Sequence, residues 1–247
     1  MIRLIAIREL RSLCGAPTTW ILLGTLQFVF AWYFLVRLDA FLQVQNQLAQ
    51  IPNAPGATQA VAVPLYDTTA LILMMLTPLF TMRLIAEERR NQTLVLLLAA
   101  PISGAQIVLG KYVGLMLFLT VVIAACSLML LSLAIGTHLD FGLVLGNALG
   151  QLLLAASYAA IGMYISSLTA QPILAATGTM AVLFGSWLME ASAVGDDNPV
   201  RALTPTAHLQ SFTNGLLNSA DLVYFLTFCA AFLWLTIRRI HSSRRCG

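Results

Sequence analysis

The sequence predicts an all-α polytopic membrane protein of six transmembrane helices, and three observations predict it. Hydrophobic residues make up 59% of the 247 and charged residues only 9%, against roughly 25% charged in a soluble domain. Mean hydropathy is +0.86. The charges cluster at the edges of long uncharged runs, the longest being 49 residues from Phe141 to Met189. A helix crosses the hydrocarbon of a bilayer in about 20 residues, so such runs hold one or two crossings each. So few charges could not cover this much apolar surface in water. That excludes a soluble enzyme, a disordered tail and a fibrous repeat.

Residues 1–16 come first. Ile2, Ala6, Leu10 and Leu13 fall on one helical stripe with Arg8, Arg11 and Ser12 roughly opposite, which predicts a short amphipathic helix lying in the membrane interface. A cleavable signal peptide does not fit, because the apolar run after Arg11 is too long and no small-x-small site follows it. Gly15-Ala16-Pro17 turns the chain into span one, 19–36. Span two is 68–85, with Arg83 close enough to its end to snorkel. Span three is 112–135. The long uncharged stretch divides at 166–172 into spans 142–166 and 172–189, since Pro172 suits a helix start and disfavours helix just before it. The last span, 222–237, is short and gains length from snorkelling by Arg238 and Arg239.

Orientation follows from the positive-inside bias. With both termini cytoplasmic, eleven of the thirteen basic residues lie inside and only Arg37 and Arg201 outside. Two outer segments result. Residues 38–65 read as a short helix followed by a loop carrying Pro52, Pro55, Gly56 and Pro64. Residues 191–221 are too apolar for a plain loop and too interrupted to span, leaving a re-entrant or surface-lying helical hairpin and an irregular loop as alternatives. His208 and Asp221 are the candidate site residues there, with His208 read as a surface or hydrogen-bonded group before a metal ligand.

Several chemistries are absent from the sequence. The thirteen basic residues form no stripe interleaved with aromatics, so nucleic acid is not a partner. Five residues separate Gly104 from Gly110 and Tyr112 follows Lys111. A phosphate-binding loop needs four between its glycines and Ser or Thr after the Lys, so the chain has no nucleotide site of its own. No catalytic constellation or metal-ligand spacing links His138, His208 and His241. Cys14, Cys126, Cys229 and Cys246 read as small apolar residues, and Met74, Met75, Met116, Met129 and Met180 as ordinary filling of spans. Gly142, Gly146 and Gly150 form a small-xxx-small face, open to packing within the protomer or across a dimer. Gly110 and Gly114 repeat the spacing.

The most informative stretch is 87–110, between spans two and three. Glu87-Glu88-Arg89-Arg90 opens it, Leu94, Leu97 and Leu98 continue helically, and Pro101 breaks it. Ser103 and Gln106 then form a capping box that starts a second helix. The result is a cytoplasmic helix-turn-helix whose apolar ridge needs a partner surface. The string Met82-Arg83, Ala86-Glu87-Glu88-Arg89, Thr93-Leu94, Leu96-Leu97-Leu98, Pro101-Ile102-Ser103 and Gln106-Ile107-Val108-Leu109-Gly110-Lys111 resembles the signature of ABC-2-type ABC transporter permeases. It is most similar to the gliding-motility permease subunit, and more distantly to the copper-processing permease of the nitrous-oxide reductase system. His208, Ser211, Gly215 and Asp221-Leu222-Val223-Tyr224-Phe225-Leu226 also resemble the gliding type. Gln92 departs from the pattern, where relatives usually carry Gly before the Thr.

The resemblance implies a transmembrane permease subunit of the bacterial cytoplasmic (inner) membrane, not itself an enzyme, with no cofactor of its own. A separate ABC ATPase would hold ATP and Mg²⁺ and dock on Glu87, Glu88, Arg89, Arg90, Thr93, Leu94 and Leu97. The N-terminal helix would pack beside this coupling segment, with Glu9 on it and Arg8 or Arg11 pairing with Glu87 or Glu88. It further implies a homodimer or pairing with a similar permease, and a companion membrane protein with an extracytoplasmic domain. No ionisable residue sits in mid-membrane, which argues against ion coupling and fits an ATP-driven device that exports an amphipathic or lipid-linked substrate or moves an extracytoplasmic partner. The alternative is a non-transporting anchor or mechanotransmission subunit.

Overall fold

The structure, a computed structural model, describes residues 1–48, 56–92, 103–135, 140–192, 203–213, 215 and 218–245. Among these, all regular structure is helical. α1 (Ile2–Gly15) ends where Ala16 turns extended and Pro17, with its fixed φ, opens α2 (Pro17–Leu48). α3 (Ala57–Met82) continues through a π turn, Arg83–Glu87, into a last α turn, Glu88–Arg90. α4 (Gly104–Leu130) has a 3-10 tail, Leu131–Ile135. α5 (Phe141–Leu168), α6 (Pro172–Ser192), the short α7 (Pro205–Thr213) and α8 (Ser219–Arg245) follow. Six helices, α2 to α6 and α8, are long and apolar enough to cross a membrane.

The helices outrun the uncharged cores that predict them. α2 passes through Arg37 and Asp39 to Leu48, so the helix expected at the start of 38–65 is the continuation of span one. α3 begins at Ala57 and carries Pro64 and Asp67 inside it, so the helix that contains span two starts well upstream of 68. Absence of charge marks hydrocarbon depth, whereas backbone hydrogen bonding has no reason to stop there. Pro172 starts α6 as expected, and α7 supplies a helix within 191–221.

α3 and α5 are the inner pair, with 67% and 61% of their most apolar windows buried; α2, α6 and α8 keep most of theirs outward at 11%, 17% and 22%. α5 is the hub, packing on α3, α4, α6, α7 and α8. Its contact with α3 is closest where Gly162 faces Thr81: a Cβ there would lie 2.8 Å from Thr81 Cβ. Small residues let backbones approach in a solvent that supplies no hydrophobic drive between helices. Polar groups then satisfy one another across the helices. Gln151 Nε2 donates to Tyr66 O at 2.8 Å, and the Tyr66 hydroxyl lies 2.9 Å from Ser127 Oγ and 3.3 Å from Val144 O, to which it donates. Tyr112 Oη donates to Ala156 O at 3.0 Å.

Ile240 of α8 lies against Gly104 at the start of α4, and α1 packs along that same part of α4. Both ends of the described chain therefore meet at one end of the bundle. α7 lies at the other.

Candidate functional site

A cleft of about 320 Å³ opens at the terminal end, between α1, the start of α2, the turns after α3 and the start of α4. Its construction begins with glycine. A Cβ on Gly110 would lie 2.7 Å from Ile5 Cβ, and one on Gly114 would lie 2.9 Å from Ala6 O and from Glu9 Cβ. Neither position admits a side chain, and α1 is seated directly on α4 as a result. The Gly110/Gly114 pair thus serves the N-terminal helix and not a neighbouring span.

That seating carries Glu9 to Lys111. Lys111 Nζ lies 3.2 Å from Glu9 Oε2 and 2.8 Å from Glu88 Oε1, with the lysine side chain 3% exposed and each glutamate 18%. A lysine so buried holds its charge only where anions replace its water, and here two do. The base in this pairing is Lys111, and the acid on the N-terminal helix is Glu9; Arg8 and Arg11, expected as the partners of Glu87 or Glu88, are exposed. Arg8 and Glu87 line the cleft.

Glu88 reaches Lys111 by way of the π turn, and the turn has an identifiable cause. Ser166 Oγ accepts from Ala86 N at 3.0 Å and donates to Met82 O at 3.4 Å. Those two backbone groups would bond each other in an α-helix, being four residues apart. A hydroxyl from the end of α5 is thus inserted into the ladder of α3, a recognised origin of helix distortion. Arg89 Nη1 donates to Ser167 O at 3.2 Å, placing a guanidinium on an end carbonyl of α5, where a cation is favoured. The segment stops at Gln92, whose φ of +57° is left-handed. That conformation is natural to Gly and strained in Gln.

Beyond the gap, Ser103 Oγ accepts from Gln106 N and Gln106 Oε1 from Ser103 N, completing the expected capping box. The helix it starts runs unbroken into span three. Arg90 is exposed; Thr93, Leu94 and Leu97 lie outside the described residues. Of the other candidates, Gly150 accepts α7, its Cβ direction being 2.8 Å from Phe212 Cβ. Gly146 lies looser against Phe212, and Gly142 faces the N-cap Asp140 of its own helix. His208 Nδ1 lies 2.6 Å from Asp221 Oδ1 and its ring stacks on Tyr224 at 3.9 Å, pinning α7 to α8. Among the described residues, no three His, Cys, Asp or Glu are grouped to hold a metal.

Sequence reasoning passed over three residues. Lys111 was given no partner, Thr81 was not singled out, and Ser166 was read as part of the break before Pro172. The glycines beside Lys111 were the available signal for the first. Nothing along the sequence pairs Ser166 with Ala86, eighty positions away.

The arrangement holds a charged node between three elements. No curated protein matches the sequence. Residues 3–243 match the family described as ABC-2 family transporter protein, nearly the whole described fold. The chain belongs to the ABC-2 family of transporter permeases, membrane subunits of ABC transporters.

Proposed function

We propose that this chain couples ATP hydrolysis by a separate ABC ATPase subunit to export of a substrate or to movement of an extracytoplasmic partner. The observation that supports this is the Lys111 node, which ties α1, the turns after α3 and the start of α4 together. A displacement of the segment after Arg90 reaches all three, and reaches α5 through Ser166 and Arg89. In this reading the segment containing Glu87, Arg90, Thr93, Leu94 and Leu97 docks in a groove of the ATPase, which holds ATP and Mg²⁺. Two copies pair in the bacterial inner membrane with their termini cytoplasmic. ATP-driven closure of the ATPases shifts the copies against each other. Kinship to the gliding type adds a companion with an extracytoplasmic domain.

One observation favours the second reading, a mechanotransmission subunit through which nothing crosses. α7 is fixed to α5 at Gly150 and to α8 by His208 and Asp221, so motion of these spans reaches an outer helix directly.

Affinity purification from native membranes in mild detergent, with mass spectrometry and an ATPase assay, tests both. An ABC ATPase at equal stoichiometry is expected. Glu88→Lys lowers ATPase association at least about tenfold, equivalent to about 1.4 kcal/mol, with membrane insertion retained. Absence of any ATPase, or association unchanged in the variant, overturns the coupling role. Stimulation of hydrolysis by a protein partner but by no substrate selects the mechanotransmission reading.

A further inference from the structure

A second cavity is larger than the charged cleft. It has a volume of about 560 Å³ and lies between α3, α5, α6 and α7, towards the α7 end of the bundle, within the size range of small-molecule sites. Two carboxylates, Asp67 and Glu190, stand on it. Neither has an ion pair among the described residues; Glu190 Oε1 accepts only an amide hydrogen bond, from Gln210 Nε2 at 3.1 Å. Trp187 contributes to the wall one turn before Glu190.

The interior changes character with depth. Met74 lies seven residues along α3 from Asp67, about 10 Å deeper at the rise of a helix, and Leu71 is between them. Tyr158 of α5 lines the cavity as well, with only 1% of its surface exposed. Its hydroxyl makes no hydrogen bond among the described residues. Thr206 Oγ1, also on the lining, is fully buried and unpartnered. Such a group is uncommon and asks for a ligand or water to satisfy it.

We propose that this cavity is a binding site for an amphiphile with an ammonium head on an apolar body. The head sits between the Asp67 and Glu190 carboxylates, where a cation is held by charge and by the face of Trp187. The body lies along Leu71 and Met74 and brings an acceptor to the Tyr158 hydroxyl. An anion meets two uncompensated negative charges at the mouth. A bare metal ion makes no use of the apolar depth and finds too few ligands, since no group of three acidic, histidine or cysteine side chains exists among the described residues. The same chemistry comes from two sources, an amine-headed lipid of the surrounding leaflet or a soluble amphiphilic cation.

This site goes beyond the coupling role and is read without ATPase or nucleotide, so failure of either leaves the other standing. The probe is radiolabelled tetraphenylphosphonium, measured by equilibrium binding to the full chain in maltoside detergent. Saturable binding at one site per chain is expected, with no saturable binding of tetraphenylborate, which has the same shape and opposite charge. Asp67→Asn with Glu190→Gln raises Kd at least about tenfold, the loss for about 1.4 kcal/mol, while elution volume and Tm stay unchanged. Leu71→Trp, which keeps both carboxylates and fills the cavity, abolishes binding; it stands in should the double variant fail to fold. Displacement by phosphatidylethanolamine assigns the ligand to the leaflet, and displacement by soluble quaternary amines alone assigns it to solution. The proposal is overturned by no saturable binding to the unaltered chain, by equal binding of tetraphenylborate, or by an unchanged Kd in both variants.

Discussion

Lys111 Nζ and Glu88 Oε1 stand 2.8 Å apart, joining the second turn of α4 to the α turn, Glu88–Arg90, that follows the π turn. Removing the lysine leaves Glu9 and Glu88 facing each other, mostly buried and without their shared cation. Lys111→Met therefore destabilises by about 3 kcal/mol, the lower end for breaking a buried pair. Arg8→Ala, at an exposed position of the same cleft, changes stability by less than about 0.5 kcal/mol. Thermal unfolding in detergent measures the contrast; equal Tm values in the two variants would show that the node does not hold the elements together.

Gln92 predicts a gain. The left-handed φ costs a non-glycine residue about 1–2 kcal/mol, and glycine returns part of that through its freer unfolded chain. Gln92→Gly is expected to stabilise the turn by about 0.5–1 kcal/mol. Gln92→Val, β-branched, weakens it. Hydrogen exchange over residues 83–92 should slow in the first and quicken in the second.

Ser166→Ala removes the hydroxyl held between Ala86 N and Met82 O. The two backbone groups are then free to bond each other, the π turn closes to α, and everything after it rotates by about 100°, one residue of helix. Glu88 leaves Lys111 as a consequence. Spin labels placed at Arg90 and Ser12 should report a changed distance in Ser166→Ala and an unchanged one in Ser166→Thr, which keeps the hydroxyl.

The α3–α5 contact at Gly162 tolerates no Cβ, whereas nothing lies within 4 Å of one built on Gly185. Gly162→Ala is expected to cost about 3 kcal/mol through overpacking and to lower the yield of folded protein. Gly185→Ala stays within about 0.5 kcal/mol of the parent. Melting temperatures of the two, taken in one detergent, decide the matter.

Hydropathy alone placed the six spans in order, because lipid exposure writes itself into composition one segment at a time. It did not place their ends: Arg37 and Asp67 are helical, and the charge that signals the edge of hydrocarbon is no signal to the backbone. The capping box at Ser103 was legible since both partners lie within three residues. The glycine rule found the right kind of contact at Gly150, which is as tight as Gly110, Gly114 and Gly162, with Gly142 serving none. Which glycine receives which helix depends on crossing geometry. The charged cleft was half legible: Glu9 and Glu88 were named, but the lysine that organises them looked like a topological marker. Glu9, Glu88 and Lys111 are brought together only by tertiary packing, so sequence offers their types and not their grouping.

The cross-helix bond from Gln151 to the carbonyl of Tyr66 has a consequence for how this protein is made. The most apolar window of α5 has a mean hydropathy of 1.5, against 2.6 for α4, and α5 carries Asn147, Gln151, Ser157 and a series of glycines. Alone in lipid, such a segment leaves an amide with nothing to bond, at a cost of several kcal/mol. α3 leaves the ribosome first, and its Tyr66 carbonyl is waiting when α5 arrives. Entry of the fourth span into the bilayer is thus tied to prior entry of the second, and biogenesis of the bundle has a built-in order of assembly.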